Sequence, residues 1–256
     1  MEFIAEIQTP LFWTGLLAII WVNIILSGDN AVVIALAALS LPKHQQGKAI
    51  FWGAGAAVVL RIILTIVAVE MLKLSYLKIV GGLLLFWIAV KLLMSEDGDA
   101  DIESSDNLIQ AIKIILIADL VMSLDNVVAV AAVAKGSILL LVLGLAISIP
   151  LVIFGATILM TLMKRYPIIV TIGAALIGSV AGELLVTDPV LVDWITANMP
   201  WLEIHLPLFG EVSWAQIVGA ALVVVGGKWL AARAEKAEEK LVDLAAEEQQ
   251  TQKKNV

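Results

Sequence analysis

Continuous apolar runs, each near the length of a bilayer crossing, alternate with short polar segments along this chain. Seven runs can be read, at about 11–39, 49–72, 76–94, 108–134, 137–163, 167–186 and 213–232. A helix needs about 20 apolar residues to cross hydrocarbon, and all of these come close or exceed it. None alternates with period two, which argues against a transmembrane β-barrel. The pattern therefore predicts an all-α membrane protein with seven transmembrane helices. The first run is too long for one straight crossing and holds Gly28 beside Asp29, so a tilted or locally broken helix is expected there. The connection 41–48 contains Pro42 and Gly47 and reads as a turn. The connection 187–212 is longer; Asp188-Pro189 reads as an N-cap and N1 proline opening a short surface helix. Trp13, Trp52, Trp214 and Trp229 fall near span ends, where interfacial aromatics belong.

Composition agrees with the pattern. Of 256 residues, 61% are hydrophobic, and the mean hydropathy is +1.00, against about 45–50% apolar in soluble domains. The absence of cysteine excludes disulfides and thiolate metal sites. His44 and His205 lie outside the apolar runs, so no imidazole site is expected in the membrane. A net charge of −7 argues against nucleic acid, which selects a basic stripe. Glu2 and Glu6, with no early lysine or arginine, make a poor signal-peptide n-region, so the first run is expected to be retained.

Lysine and arginine set the orientation. Lys43, Lys48, Lys164, Arg165, Lys228, Arg233, Lys236 and Lys240 share one side; Lys73, Lys78 and Lys135 share the other. The first side is expected to be cytoplasmic, with the N-terminus outside and the C-terminus inside. The acidic segment 95–107 then lies inside and reads as a solvated linker, with cation sensing the alternative. The charged tail 233–256 reads as a solvated helix that frays towards its end.

A polar cluster sunk in the first run recurs in the fourth. Ser27-Gly28-Asp29-Asn30 and Ser123-Leu124-Asp125-Asn126 are separated by a constant offset of 96. Five of eleven positions around them are identical. Repeat one spans about 11–94 and repeat two about 108–186, with the helix at 213–232 as an addition. Three spans is an odd number, so the two repeats enter the membrane from opposite sides. Inverted repeats with a midplane site are a recurring transporter design. The later spans match loosely, Gly55 opposite Gly144, Arg61 opposite Pro150 and Gly82 opposite Gly173.

A carboxylate in hydrocarbon costs several kcal/mol without a partner or a wet cavity (about 2.5–3.5 by insertion scales). Asn23, Ser27 and Asn30 share one helix face, and Asp119, Ser123 and Asn126 repeat the spacing. In regular helices Asp29 and Asp125 point about 120° away from that face. Either the aspartates face different neighbours, or unwinding near Gly28 brings Asp and Asn together and frees backbone carbonyls; the second is favoured in the first half, while Leu124 is expected to leave the second helix regular. Carboxylates, amide oxygens and hydroxyls form an all-oxygen set suited to Mg²⁺, Ca²⁺ or Mn²⁺. Met122 adds a thioether that favours Mn²⁺, although packing is the plainer reading. Arg61 and Lys91 are charge-coupling candidates: Arg61 either neutralises an aspartate in the empty state or forms a fixed ion pair. Lys91 and Glu70 also read as snorkelling side chains near span ends. Asp119 and Glu183 are candidate supporting ligands or proton carriers.

On the two Ser-x-Asp-Asn clusters, Arg61 and Trp87-Ile88-Ala89-Val90-Lys91, the chain resembles the TerC family of integral membrane proteins over roughly residues 10–232. The resemblance implies a bacterial cytoplasmic-membrane protein of the lysine-exporter-like superfamily that exports manganese. It transfers a metal role to Asp29, Asn30, Asp125 and Asn126, and more weakly to Asp119 and Glu183.

The expected function is a secondary transporter exporting a divalent cation, most simply Mn²⁺, with Ca²⁺ and Mg²⁺ open. Asp29, Asn30, Asp125 and Asn126 bind the ion; Ser27 and Ser123 support it. No phosphate-binding loop is present, so coupling comes from an ion gradient or the membrane potential or is absent, with proton exchange through the carboxylates the first expectation. No permanently bound cofactor and no enzymatic activity are expected. The partners are the cation and the bilayer, with a homo-oligomer left open. The alternative is a membrane scaffold that assembles or metallates other proteins.

Overall fold

The computed structural model describes residues 7–71, 74, 76–94, 105–134, 137–206 and 210–254. Among these, the side chains of 67–71, 105–107, 125, 128, 200, 203–206, 210–212, 234–235 and 237–254 lie outside the description. So do the acidic residues of 95–104, and Lys73 and Lys135.

The chain is helical almost throughout. The helices are α1 Pro10–Leu26, α2 Gly28–Leu39, α3 Lys43–Met71, α4 Leu77–Met94, α5 Ser105–Ala134, α6 Ile138–Arg165, α7 Ile168–Val186, the short α8 Val192–Asn198 and α9 Trp214–Lys254. A small antiparallel hairpin, β1 Glu203–Leu206 and β2 Gly210–Ser213, lies before α9, in a connection where no strand was predicted. Among the described residues, five helices are long and apolar enough to cross a membrane, and six if α1 and α2 are one span. α5 is outside that count, yet its 30 residues run about 45 Å. α9 continues unbroken for 41 residues, so the expected tail helix extends the last apolar segment.

The first run is broken where expected. α1 ends at Ser27, and α2 leaves at 53° to it. The equivalent stretch of α5 is continuous. Local chemistry accounts for the difference. The Asp29 carboxylate accepts the Asn30 backbone N–H at 2.8 Å, diverting it from the carbonyl four residues back. Gly28 adds no side chain to stiffen the turn, and helix interiors tolerate glycine poorly.

Packing relates the two halves. α3 lies on α5, α6 lies on α1 and α2, and α4 lies on α7. A Cβ on Gly53 of α3 would meet Ile115 of α5, and one on Gly144 of α6 would meet Ile19 of α1. Ile19 and Ile115 differ by 96, the offset of the polar clusters, and Gly53 and Gly144 differ by 91. Gly82 and Gly173 also differ by 91. Gly144 is therefore matched by Gly53, not by Gly55, around which a Cβ would meet open space. Arg61 accordingly falls opposite Val152 rather than Pro150. α9 is held by close backbone approach: side chains at Gly178 and Gly182 would strike the carbonyls of Gly219 and Ala215. Small residues bring helices together in this way where lipid offers no hydrophobic drive.

Asp188 does more than open a local helix. Its carboxylate accepts N–H bonds from Tyr76 at 3.2 Å, Lys78 at 3.2 Å, Ile79 at 3.4 Å and Val190 at 3.0 Å. Three of these belong to the entry into α4, whose first N–H groups otherwise lack acceptors. α8 itself begins later, at Val192. Burial raises the Asp188 pKa, but the four backbone donors outweigh it and hold it below the usual carboxylate value. A lowered folded-state value means stability that is present above the unfolded pKa of about 3.9 and lost as pH falls through the folded value. Thermal unfolding in detergent should therefore show a loss below pH 4 that Asp188→Asn removes. Asp188→Ala should lower stability at pH 7 by about 1–2 kcal/mol, as lost N-caps do.

Candidate cation site

Two polar layers lie side by side in the helix bundle. The first is centred on Arg61 of α3, which is buried to 3% exposure. Its Nη1 donates to Asn23 Oδ1 at 2.8 Å and to Ser27 Oγ at 3.2 Å. Its Nη2 pairs with Asp119 Oδ1 at 2.5 Å. Asn23 and Asp119 lie 96 positions apart, the offset of the two Ser-x-Asp-Asn clusters, so one guanidinium bridges both segments. The hydroxyls repeat as well: Ser27 donates to Asn23 at 3.4 Å and Ser123 to Asp119 at 3.2 Å. One arginine balances one carboxylate, and at the equivalent position of the other repeat the sequence supplies a neutral asparagine.

The second layer is built on the helix break. In a continuous helix the Leu26 carbonyl would accept the Asn30 N–H. That N–H is taken by Asp29. The Leu26 carbonyl instead receives Asn30 Nδ2 at 3.2 Å and Asn126 Nδ2 at 3.2 Å. Two carboxamides, one from each repeat, thus converge on a single freed carbonyl at the C-terminal end of α1. Asn30 Oδ1 is buried and has no hydrogen-bond partner. Asp29 is half-buried in the first turn of α2, where free N–H groups favour a carboxylate.

An oxygen-rich site follows from these residues by one small motion. A carboxamide exchanges donor for acceptor on rotating about its last torsion. Turning Asn30 and Asn126 would present two Oδ1 atoms beside the Leu26 carbonyl, with Asp29 adjacent in sequence. Among the described residues no three His, Cys, Asp or Glu side chains cluster to hold a metal. In that rotamer the oxygens offered would be mainly those of amides, with few charges.

Known proteins share this chain's sequence over most of its length. The Integral membrane protein TerC family matches residues 8–236. The chain belongs to the TerC family. It is similar to the uncharacterized membrane protein YjbE of Bacillus subtilis (strain 168), 40% identical over 68% of this chain and 80% of that one. It is also similar to YceF of the same strain, 25% identical over 67% of this chain and 70% of that one. No solved structure matches.

The remaining predicted residues of this TerC chain fall in several places. The Asp125 side chain lies outside the described residues, though its backbone sits in continuous α5 beside Asn126. Glu183 is exposed near the end of α7 and accepts Gln216 Nε2 at 2.7 Å, so it joins α7 to α9 rather than entering either layer. Lys91 lies in the last turn of α4 with its ammonium 5.1 Å from the Trp87 ring, away from both layers. The Met122 side chain is buried in the apolar core, in keeping with packing. Glu70 is among the undescribed side chains. Sequence reasoning missed the Leu26 carbonyl as the meeting point. Its signal was the pair of asparagines at offset 96 beside a helix breaker present in only one repeat.

Proposed function

We propose that this TerC protein is a secondary transporter that exports a divalent cation, with Mn²⁺ the preferred cargo, from the bacterial cytoplasm. The observation that carries this reading is the convergence of Asn30 and Asn126 on the freed Leu26 carbonyl beside Asp29. A broken helix whose C-terminal carbonyl end faces a midplane site is a recurring way to coordinate a cation in transporters. Asp29, Asn30, the Leu26 carbonyl and Asn126 hold the ion, and Asp125 completes the set from the other repeat. Ser27, Ser123, Asp119 and Arg61 form the neutralised layer that joins the repeats. Protons returning through the carboxylates supply the coupling.

Counting α1 and α2 as one and including α5, seven crossings would put the termini on opposite sides, and the lysine distribution supports an N-terminus outside and a C-terminus in the cytoplasm. Two contacts support the alternation. Lys164 at the end of α6 donates to Gln46 at the start of α3, on the lysine-rich side. Asp188 meets the start of α4 on the opposite side. The reciprocal packing of Gly53 on Ile115 and Gly144 on Ile19 supports an inverted duplication.

The same duplication supports alternating access. A cavity of about 630 Å³ opens between the outer parts of α1, α5 and α6, lined by Thr9, Thr14, Gly15, Ala18, Val133 and Ser137 among others. At offset 96, Gly15 and Ala18 correspond to Ala111 and Ile114, and Val133 and Ala134 to Ala37 and Ala38. Ala37, Ala38 and Ala111 are buried in the main core, whereas Ile114 also lines a separate cavity between α4 and α5. Beside α2 the outer side is thus open where its inner equivalent, at Ala37 and Ala38, is shut. Cycling exchanges the two arrangements.

The primary test is Mn²⁺ flux from proteoliposomes with an imposed pH gradient, with Ca²⁺, Mg²⁺ and Zn²⁺ as competitors. The chain has no cysteine, so single cysteines report access directly. Ala18→Cys should react with a membrane-impermeant thiol reagent added outside. Ala38→Cys should react from inside only while Mn²⁺ is being transported. Equal, Mn²⁺-independent labelling of both would count against alternation. The scaffold reading draws only on the long α9, and it predicts a folded protein that carries no flux.

A further inference from the structure

A second cavity lies on the lysine-rich side of the molecule, its Ile117 end two residues from Asp119 along α5. It has a volume of about 460 Å³ and lies between α4 and α5. Trp87 and Lys91 line it from α4, and Ile109, Gln110, Lys113 and Ile117 from α5. Trp87 is 55% and Ile109 51% exposed on the bundle surface, so the cavity opens towards lipid. Its occupant must come from the bilayer or be able to enter it.

The internal duplication sets Lys113 apart as an addition. At the offset of 96, Lys113 corresponds to Leu17, which is 67% exposed on the opposite side of the membrane. At the offset of 91, Lys91 corresponds to Gly182. Gly182 is covered by α9, so the comparison of lipid-facing surface rests on Lys113 and Leu17. Where an ordinary lipid-facing position carries Leu, this one carries an ammonium, which costs free energy in hydrocarbon unless an anion or water meets it. Lysine stems reach the headgroup level by snorkelling, and the Trp87 ring fits the same interfacial depth.

We propose that this cavity binds the phosphodiester headgroup of an anionic glycerophospholipid, such as phosphatidylglycerol, from the cytoplasmic leaflet. Lys91 and Lys113 meet the phosphate charge. The Gln110 carboxamide offers a further donor. Ile109, Ile117 and the Trp87 ring flank the glycerol and the first acyl carbons. The apolar half of the lining selects a lipid over free phosphate, which has nothing to place there. Basic pockets between transmembrane helices on the cytoplasmic side recognise anionic headgroups by this combination. Bound lipid would staple α4 of one repeat to α5 of the other.

Native mass spectrometry of the full chain in micelles tests this, with phosphatidylglycerol and phosphatidylcholine of identical acyl chains titrated in parallel. One phosphatidylglycerol per protomer should be retained in preference to phosphatidylcholine. Each surface lysine is worth about fivefold in binding an anionic headgroup, so Lys113→Gln should weaken retention about fivefold and the double variant with Lys91→Gln about 25-fold. Lys113→Arg should retain the lipid. The lipid-free unfolding midpoint of the double variant should match that of the parent, which separates lost binding from lost fold. Equal retention of the two lipids, unchanged binding by the double variant, or displacement of phosphatidylglycerol by millimolar inorganic phosphate would each overturn the assignment.

Discussion

Asp29→Asn should lower Mn²⁺ flux in proteoliposomes by roughly 10- to 100-fold while leaving the protein folded. Asparagine matches aspartate in volume and removes only the charge. The carboxylate is half-buried, and its described contact is to the Asn30 N–H, which an amide oxygen can still accept. The helix break therefore survives and the freed Leu26 carbonyl stays in place. What is lost is the anionic ligand, and cation affinity follows ligand charge closely. Thermal shifts provide a second readout. Mn²⁺ at 100 times its dissociation constant should stabilise the parent by about 2.7 kcal/mol through mass action. That increment should vanish in the variant. Asn126→Ala should produce a similar loss by removing a ligand from the other repeat. Glu183→Gln should leave flux unchanged, because Glu183 is bound to Gln216 outside both layers. Full activity of Asp29→Asn would remove the proposed site.

Much of this arrangement could be read from residue order alone. Hydrophobic runs set most helix bounds to within a few residues, because in lipid a backbone must satisfy itself and continuous helix is the cheapest solution; α3 instead starts at Lys43, inside the segment 41–48 read as a turn, and α9 runs on to Lys254. The break at Ser27 was legible from Gly28 and from the excess length of the first run. The recurrence of Ser-x-Asp-Asn at an offset of 96 was legible in the sequence. The alignment of α3 with α6 was not, since glycines recur every few residues and Gly53 and Gly55 look alike in sequence. Only the bulk of Ile19 and Ile115 against their glycines separates them. The partner of Arg61 was also ambiguous. Asp29, Asp119 and Asp125 all lie in apolar helix, and periodicity gives the face of a residue without its depth. Charge counting offered a clue: replacement of Asn23 by Asp119 leaves one extra carboxylate for one arginine. The Asp188 clasp on α4 was invisible because it joins residues 109 to 112 positions apart.

The Arg61–Asp119 pair leads to the second large effect. Asp119→Asn should destabilise the protein by about 3–5 kcal/mol, because it leaves a guanidinium buried against a neutral amide. Arg61 already has an unpartnered buried Nε, so it has little spare bonding to fall back on. The pair itself is a different matter. Desolvating two charges offsets most of their attraction, and apolar replacement of a buried pair is often neutral or stabilising by about 1–4 kcal/mol. Arg61→Met with Asp119→Leu should therefore recover most of the stability lost in Asp119→Asn. Asn23 would lose its Nη1 donor in that double variant but keep Ser27 Oγ at 3.4 Å. Unfolding midpoints in one detergent measure all three proteins on one scale. If Asp119→Asn matched the parent, the pair would be structurally idle. Flux through the stabilised double variant then separates two roles. A purely structural bridge predicts transport near the parent level once the fold is restored. Our reading predicts loss of more than about tenfold, since the guanidinium links Asn23 and Ser27 of one repeat to Asp119 of the other, and those are the halves that must exchange places while an ion with two charges crosses.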